Sequence, residues 1–247
     1  MSTSQEKTAV ITGASSGIGA STAERLAQEG FDIVMGARRT GRLEEVARRS
    51  GGRTLALDVT DARSVERFVS ELDRVDVLAN NAGGAVGMEP IAEISDDDIA
   101  AMWATNVGGL LRMTRSLLPL LEASGNGHVV IIGSIAGFET YPGGAGYTAA
   151  KHAVRAITRA LRIELLGKPI RVTEVAPGLV ATEFSTVRFR GDAGKAAEVY
   201  KGMTPLTPDD VADCVAWAVT RPRHVDIDEI VIRPVDQATA TNVARSE

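Results

Sequence analysis

The chain has one cysteine, Cys214, so no internal disulfide can brace it and a reducing compartment is expected. Its three histidines, His128, His152 and His224, are scattered, and with a lone thiol they offer none of the spacings a metal site needs. No metal is expected. Basic residues do not predominate either. The 27 lysines and arginines face 32 acids, a formal net charge of −5, so no global positive field invites nucleic acid or an anionic lipid surface. No apolar run approaches bilayer-spanning length, and the opening "MSTSQEK" lacks the apolar core of a secretory leader. These absences predict a cytoplasmic protein that works on small molecules, with no membrane or nucleic-acid partner.

What the sequence does contain is rhythm. Its 247 residues are 44% apolar, enough to bury one large core. Short apolar runs alternate with longer amphipathic ones. Strands are expected at 8–12, 31–37, 54–59, 75–81, 128–134, 170–177 and 228–234. Helical patterns fill the gaps, among them a long one from about Ala145 to Leu166 that stops at Gly167-Lys168-Pro169. Apolar strands alternating with helices predict an α/β fold, a doubly wound parallel sheet of about seven strands in a single domain over 1–247. The stretch 181–206 breaks the rhythm. It is charged, carries glycine and follows strand six at the sheet edge where such folds place their ligand crevice, so it reads either as a lid or as a solvated loop.

"TGASSGIG" (12–19) follows the first strand and opens a helix. Gly13, Gly17 and Gly19 permit a tight turn, close approach of backbone to a pyrophosphate, and packing of the helix on the sheet. The helix start then presents free N–H groups and a positive dipole end to the phosphates. With Ser15, Ser16 and Ile18 of the same turn, these residues are expected to bind a dinucleotide in a Rossmann-type fold. The end of the second strand often carries an acid for the adenosine ribose, but here Ala37 stands there, followed by Arg38 and Arg39. A carboxylate would repel a 2′-phosphate, whereas a guanidinium makes a forked, charge-assisted contact with one. NADP(H) is therefore expected rather than NAD.

Tyr147 and Lys151 stand four apart in a helical pattern and so share a face. A phenol titrates near ~10, and an ammonium beside it draws that value toward the working range. Ser134, in "IIGSIAG" at the carboxyl end of strand five, can hydrogen-bond a carbonyl without carrying charge. Asn106, in "TNVGG", is ill suited to mid-helix and suggests a held water or a backbone bend. His152 points away from its neighbour Lys151 and reads as structural. Trp103 and Trp217 lie in apolar helical runs and read as core or interface.

In this order and spacing the motifs closely resemble the short-chain dehydrogenases/reductases, over nearly the whole chain and with no departure at the catalytic positions. They are "TGASSGIG", "NNAG" (80–83), Asn106, Ser134, Tyr147, Lys151 and "PG" (177–178). The resemblance implies that Tyr147 exchanges a proton with the substrate oxygen and that Ser134 orients it. Lys151 lowers the tyrosine pKa and holds the nicotinamide ribose, and Asn106 supports a water. Asp58 and Val59 flank the adenine, while Asn81, Ala82, Gly83, Pro177 and Gly178 line the cofactor. A homotetramer is implied too, built partly from the helices after strands four and five. A narrower resemblance, carried by "GLVATEFSTVRFRGDAGKA" and "EIVIRPVDQ", is to the NADP-dependent 3-hydroxy acid (serine or allo-threonine) dehydrogenases of bacteria and yeast. It singles out Arg188 of the lid, with Ser134, as the substrate contacts. Other aldehyde or ketone reductases share parts of this pattern, and a non-catalytic dinucleotide sensor is a further alternative. The intact Ser134–Tyr147–Lys151 set counts against the sensor.

Overall fold

In the computed structural model, which describes residues 7–246, the apolar runs form one parallel sheet of seven strands. The expected absence of a leader's apolar core concerns mainly residues 1–6, which lie outside that range. The strands are β1 (Lys7–Thr12), β2 (Phe31–Ala37), β3 (Arg53–Ala56), β4 (Val77–Asn80), β5 (Gly127–Ile132), β6 (Ile170–Pro177) and β7 (Glu229–Ile232). Their order is β3-β2-β1-β4-β5-β6-β7. The winding reverses between β1 and β4, and a crevice opens there beyond the carboxyl ends of the strands.

Helices cover both faces because the strands are apolar on both. Alternate residues of β1 show the division: Ala9 and Ile11 pack with α1 (Gly17–Gln28), α2 (Thr40–Ser50) and α9 (Pro208–Val219). Val10 packs on the other side with α3 (Ala62–Val69), α5 (Leu110–Ala123) and α6 (Ala145–Glu164). Helix α4 (Asp96–Trp103) precedes α5. The "LTPDD" stretch becomes the start of α9 through a capping box between Thr207 and Asp210, with Pro208 in the first turn.

Several boundaries differ from the sequence expectation. Strand β3 is an edge strand and stops at Ala56, because Asp58 turns the chain by accepting from the Thr60 amide and hydroxyl at 2.9 and 2.7 Å. Strand β5 stops at Ile132, two residues before Ser134, which instead caps a 3₁₀ turn over Ile135–Gly137. The stretch 181–206 contains two short helices, α7 (Phe184–Arg188) and α8 (Ala193–Glu198). Trp103 and Trp217 are 48% and 49% exposed, so neither belongs to the core.

Candidate active site

Gly13 and Gly17 adopt φ of 67° and 54°, a region that disfavours any side chain. Gly19 is needed for room. A Cβ there would lie 2.4 Å from Asn81 Nδ2 and 2.6 Å from the Gly13 carbonyl. The turn is pressed against the segment after β4, where Asn81 Nδ2 donates to the carbonyls of Thr12 and Gly13 at 2.9 and 3.2 Å. Thr12 Oγ1 in turn accepts from the Asn81 and Ala82 amides, each at 3.0 Å. Gly19→Ala is expected to cost roughly 1–3 kcal/mol through this overpacking and to weaken dinucleotide binding. A melt and a binding titration check it.

At the end of β2, Arg38 makes no hydrogen bond to another described residue and lines the crevice. Arg39 is held in place: its guanidinium donates to Ser15 Oγ at 3.1 and 3.2 Å and to Ser16 Oγ at 2.7 Å. Glu183, at the start of α7, bridges Arg39 (2.9 Å) and Arg42. Hydrogen bonds from Arg42 and Arg39 hold the Glu183 carboxyl down to about 2.

Asn106 occupies a π-helical turn, Ala104–Gly109, between α4 and α5. Its Nδ2 donates to the Met102 and Gly84 carbonyls at 2.7 and 2.8 Å, and its Oδ1 accepts from the Gly84 amide at 3.2 Å. The side chain therefore pins the loop after β4 to the widened helix turn, a local geometry frequent at functional sites. Ser134 Oγ accepts from the Ala136 amide at 3.1 Å, and its hydroxyl hydrogen-bonds the Tyr147 phenol.

The first turns of α6 carry Tyr147 and Lys151, both nearly buried at 9% and 7% exposure. Lys151 Nζ donates to the Ile132 carbonyl at 2.9 Å and lies 5.9 Å from the Tyr147 ring centre. That bond uses one of three ammonium protons. Contrary to the sequence expectation, the Tyr147 phenol is held above its usual range by burial and by Tyr141, and the downward pull comes from the Ser134 hydroxyl and the Arg188 cation rather than from Lys151. Burial also lowers Lys151 to about 8, against the pull of Glu174.

Arg188 ends α7 and is 9% exposed. Its Nε donates to the Gly87 carbonyl at 3.0 Å and Nη1 to the Tyr141 hydroxyl at 2.9 Å, whereas buried Nη2 has no hydrogen-bond partner among the described residues. The guanidinium lies 5.9 Å from the Tyr147 ring centre, and the Phe184 ring packs on the same tyrosine at 5.4 Å. The other cations of this stretch face outward: Arg190 pairs with Asp98 and Glu89, and Lys195 with Asp192.

One cavity of about 690 Å³ runs from the glycine turn past Ser134, Tyr147 and Lys151 to Arg188. Every site residue expected from the sequence lines it except Gly19 and Asn106, which stand behind its wall. Sequence reasoning missed Tyr141, Phe184 and the Glu183 bridge. The separations from Glu183 to Arg39 and Arg42, 144 and 141 residues, hide that bridge until the chain is folded.

Comparison with known proteins agrees with this geometry. Residues 7–192 match the family model described as short chain dehydrogenase. An uncharacterized oxidoreductase of Mycobacterium tuberculosis is 54% identical, over 97% of this chain and 96% of its own. The NADP-dependent 3-hydroxy acid dehydrogenase of Schizosaccharomyces pombe is 42% identical over the full length of both. A solved structure, the closed form of serine dehydrogenase complexed with NADP+, superposes with a TM-score of 0.91 at 41% identity, covering 96% of this chain and 99% of that one. With a parallel sheet wound in this order and a family match over most of its length, the chain belongs to the short chain dehydrogenases.

Proposed function

We propose that the protein is an NADP-dependent dehydrogenase that interconverts the hydroxyl and carbonyl forms of a short 3-hydroxy acid or β-hydroxy amino acid, such as serine or allo-threonine. The observation that carries the substrate class is Arg188. A buried guanidinium with an unpartnered Nη2 beside the tyrosine is costly unless a ligand supplies the missing charge and acceptor, and a substrate carboxylate supplies both.

The residues also fit a dinucleotide. The glycine turn lacks the side chains that would block a pyrophosphate, and Arg38 lines the cavity at the end of β2 with no hydrogen-bond partner among the described residues. The cofactor, when bound, supplies or takes up the hydride. Tyr147 gives its proton to the carbonyl oxygen in reduction and takes it from the hydroxyl in oxidation. Ser134, whose hydroxyl already meets the Tyr147 phenol, donates its proton to the same oxygen and orients it. Lys151 keeps protons available for the nicotinamide ribose, and Asn106 holds the wall and supports a water near the lysine. The stretch 181–206 acts as a lid: α7 carries Arg188 and Phe184 over Tyr147, and Glu183 ties its start to Arg39 and Arg42 across the crevice. Exposed Trp103, Leu111, Ile163 and Leu166 on and beside α4, α5 and α6 support a homotetramer, which sedimentation tests. The lone cysteine and the absence of a membrane-spanning helix among the described residues support a cytoplasmic location.

Following absorbance of the reduced nicotinamide with serine, allo-threonine and 3-hydroxybutyrate tests this reading. Activity on uncharged alcohols alone would select another carbonyl substrate, and no turnover on any would select a sensor. Cofactor choice has its own test. Arg38→Ala is expected to raise the KM for NADP by about one to two decades, the worth of a charge-assisted contact, with little change for NAD. Ala37→Asp should shift preference toward NAD by repelling the 2′-phosphate. A wild-type enzyme that uses NAD equally well would refute the argument from Ala37 and Arg38.

A further inference from the structure

We propose that Glu174 is a positioning residue for Lys151: a buried carboxylate, outside the cavity the lysine lines, that keeps the ammonium charged at the working pH. Along β6 the side chains alternate, and Ile170 and Val172 point into the apolar layer under α6. Glu174 is the next residue on that face. It is 3% exposed, its Oε1 is shut off from solvent, and it accepts no hydrogen bond from a described residue. The carboxylate fills the space left by Gly133, where a Cβ would lie 2.2 Å from Oε1. Gly133 immediately follows Ile132, whose carbonyl holds the Lys151 ammonium. Glu174 therefore sits beside the backbone corner on which the lysine rests.

The charges around it are sorted. Lys151, Arg155, Arg159 and Arg162 form a stripe along one side of α6, at spacings of four, four and three. Arg155 already pairs with Glu229 of β7 and stacks on the Phe138 ring at 3.5 Å. Arg162 pairs with Asp228, and Arg159 is exposed. Lys151 and Glu174 are the buried members of this set with no ion pair among the described residues, and Glu174 is the counter-charge that acts on Lys151. Burial lowers Lys151 to about 8 while Glu174 opposes the fall. Burial raises Glu174 while Arg155, Lys151 and Arg159 oppose the rise and Glu229 adds to it. Each group thus favours the charged state of the other.

The consequence is visible in the pH profile of substrate oxidation. The rate climbs as Tyr147 loses its proton and levels off, which sets the alkaline limb, as Lys151 loses its charge. Glu174→Gln keeps the shape and removes the counter-charge, so the alkaline limb should move to lower pH by about one unit, with near-normal rates on the acid side. Glu174→Asp should restore the limb, and a melt for each variant reports on folding. An unmoved limb in Glu174→Gln, or an equal loss at every pH that Glu174→Asp does not repair, overturns the proposal. It rests on the Tyr147–Lys151 reading, which Lys151→Arg tests separately: a guanidinium stays charged, so the alkaline limb should vanish. If that limb persists, the role of Lys151 falls and this proposal with it. If it vanishes while the limb of Glu174→Gln stays in place, only Glu174 is excluded.

Discussion

Tyr147→Phe is expected to cut turnover by about a hundred- to ten-thousandfold, the usual worth of a positioned acid–base group, with NADP(H) binding close to wild type. The ring is retained, so its packing on Phe184 at 5.4 Å survives and only the hydroxyl is lost. Nothing else replaces it. Ser134 is too weak an acid, and Lys151 is tethered to the Ile132 carbonyl. The direction of the Tyr147 shift adds a second expectation. Burial holds the phenol above its usual range, so at neutral pH it is protonated and ready to donate. Reduction should therefore run near neutrality, while oxidation, which needs the proton gone, should accelerate as pH rises until Lys151 discharges near 8. Turnover within a few-fold of wild type in Tyr147→Phe, measured under saturating cofactor, would remove the tyrosine from the mechanism.

Much of this site is legible in the sequence because its parts are local. The glycine turn needs a strand before it and a helix after it within a few residues, and Tyr147 and Lys151 need only one helical turn. The bounds of β6 are likewise readable, since "IRVTEVAP" is framed by Pro169 and Gly178. The remainder depends on contacts that no local pattern encodes. Asn106 hinted at a backbone irregularity, but the bond from its amide to Gly84, 22 residues away, shows in no local pattern. Ser134 was expected to end a strand and instead caps a turn, because β5 loses its β6 partner after Ile132 pairs with Val175. Only the resemblance sets Arg188 apart from Arg190 and Lys195 in sequence, and the fold buries the first and leaves the others at the surface. Glu174 carried a readable signal: an acid on the inward face of a strand, in register with Ile170 and Val172, is a conflict worth noting wherever it occurs.

Arg188→Met should lower efficiency on carboxylate-bearing substrates by on the order of a hundredfold, the loss of one buried charged contact. Efficiency on an uncharged ketone of similar size should change little. The comparison belongs in the reduction direction near neutral pH, for a physical reason. The Arg188 cation helps to lower Tyr147, so removing it makes the phenol a weaker acid and hampers oxidation of every substrate. In reduction the tyrosine is protonated with or without that cation, and the effect on the carboxylate stands alone. Arg188 also anchors the segment that carries it, through Gly87 and Tyr141. Tyr141→Phe removes one anchor without touching the charge, and it should leave the ratio of charged to uncharged efficiencies within a few-fold of wild type. If Arg188→Met depressed both substrate classes equally, and Tyr141→Phe did the same, the arginine would be shaping the lid rather than binding the carboxylate. A selective loss in Arg188→Met alone would identify the guanidinium as the group that recognises the acid.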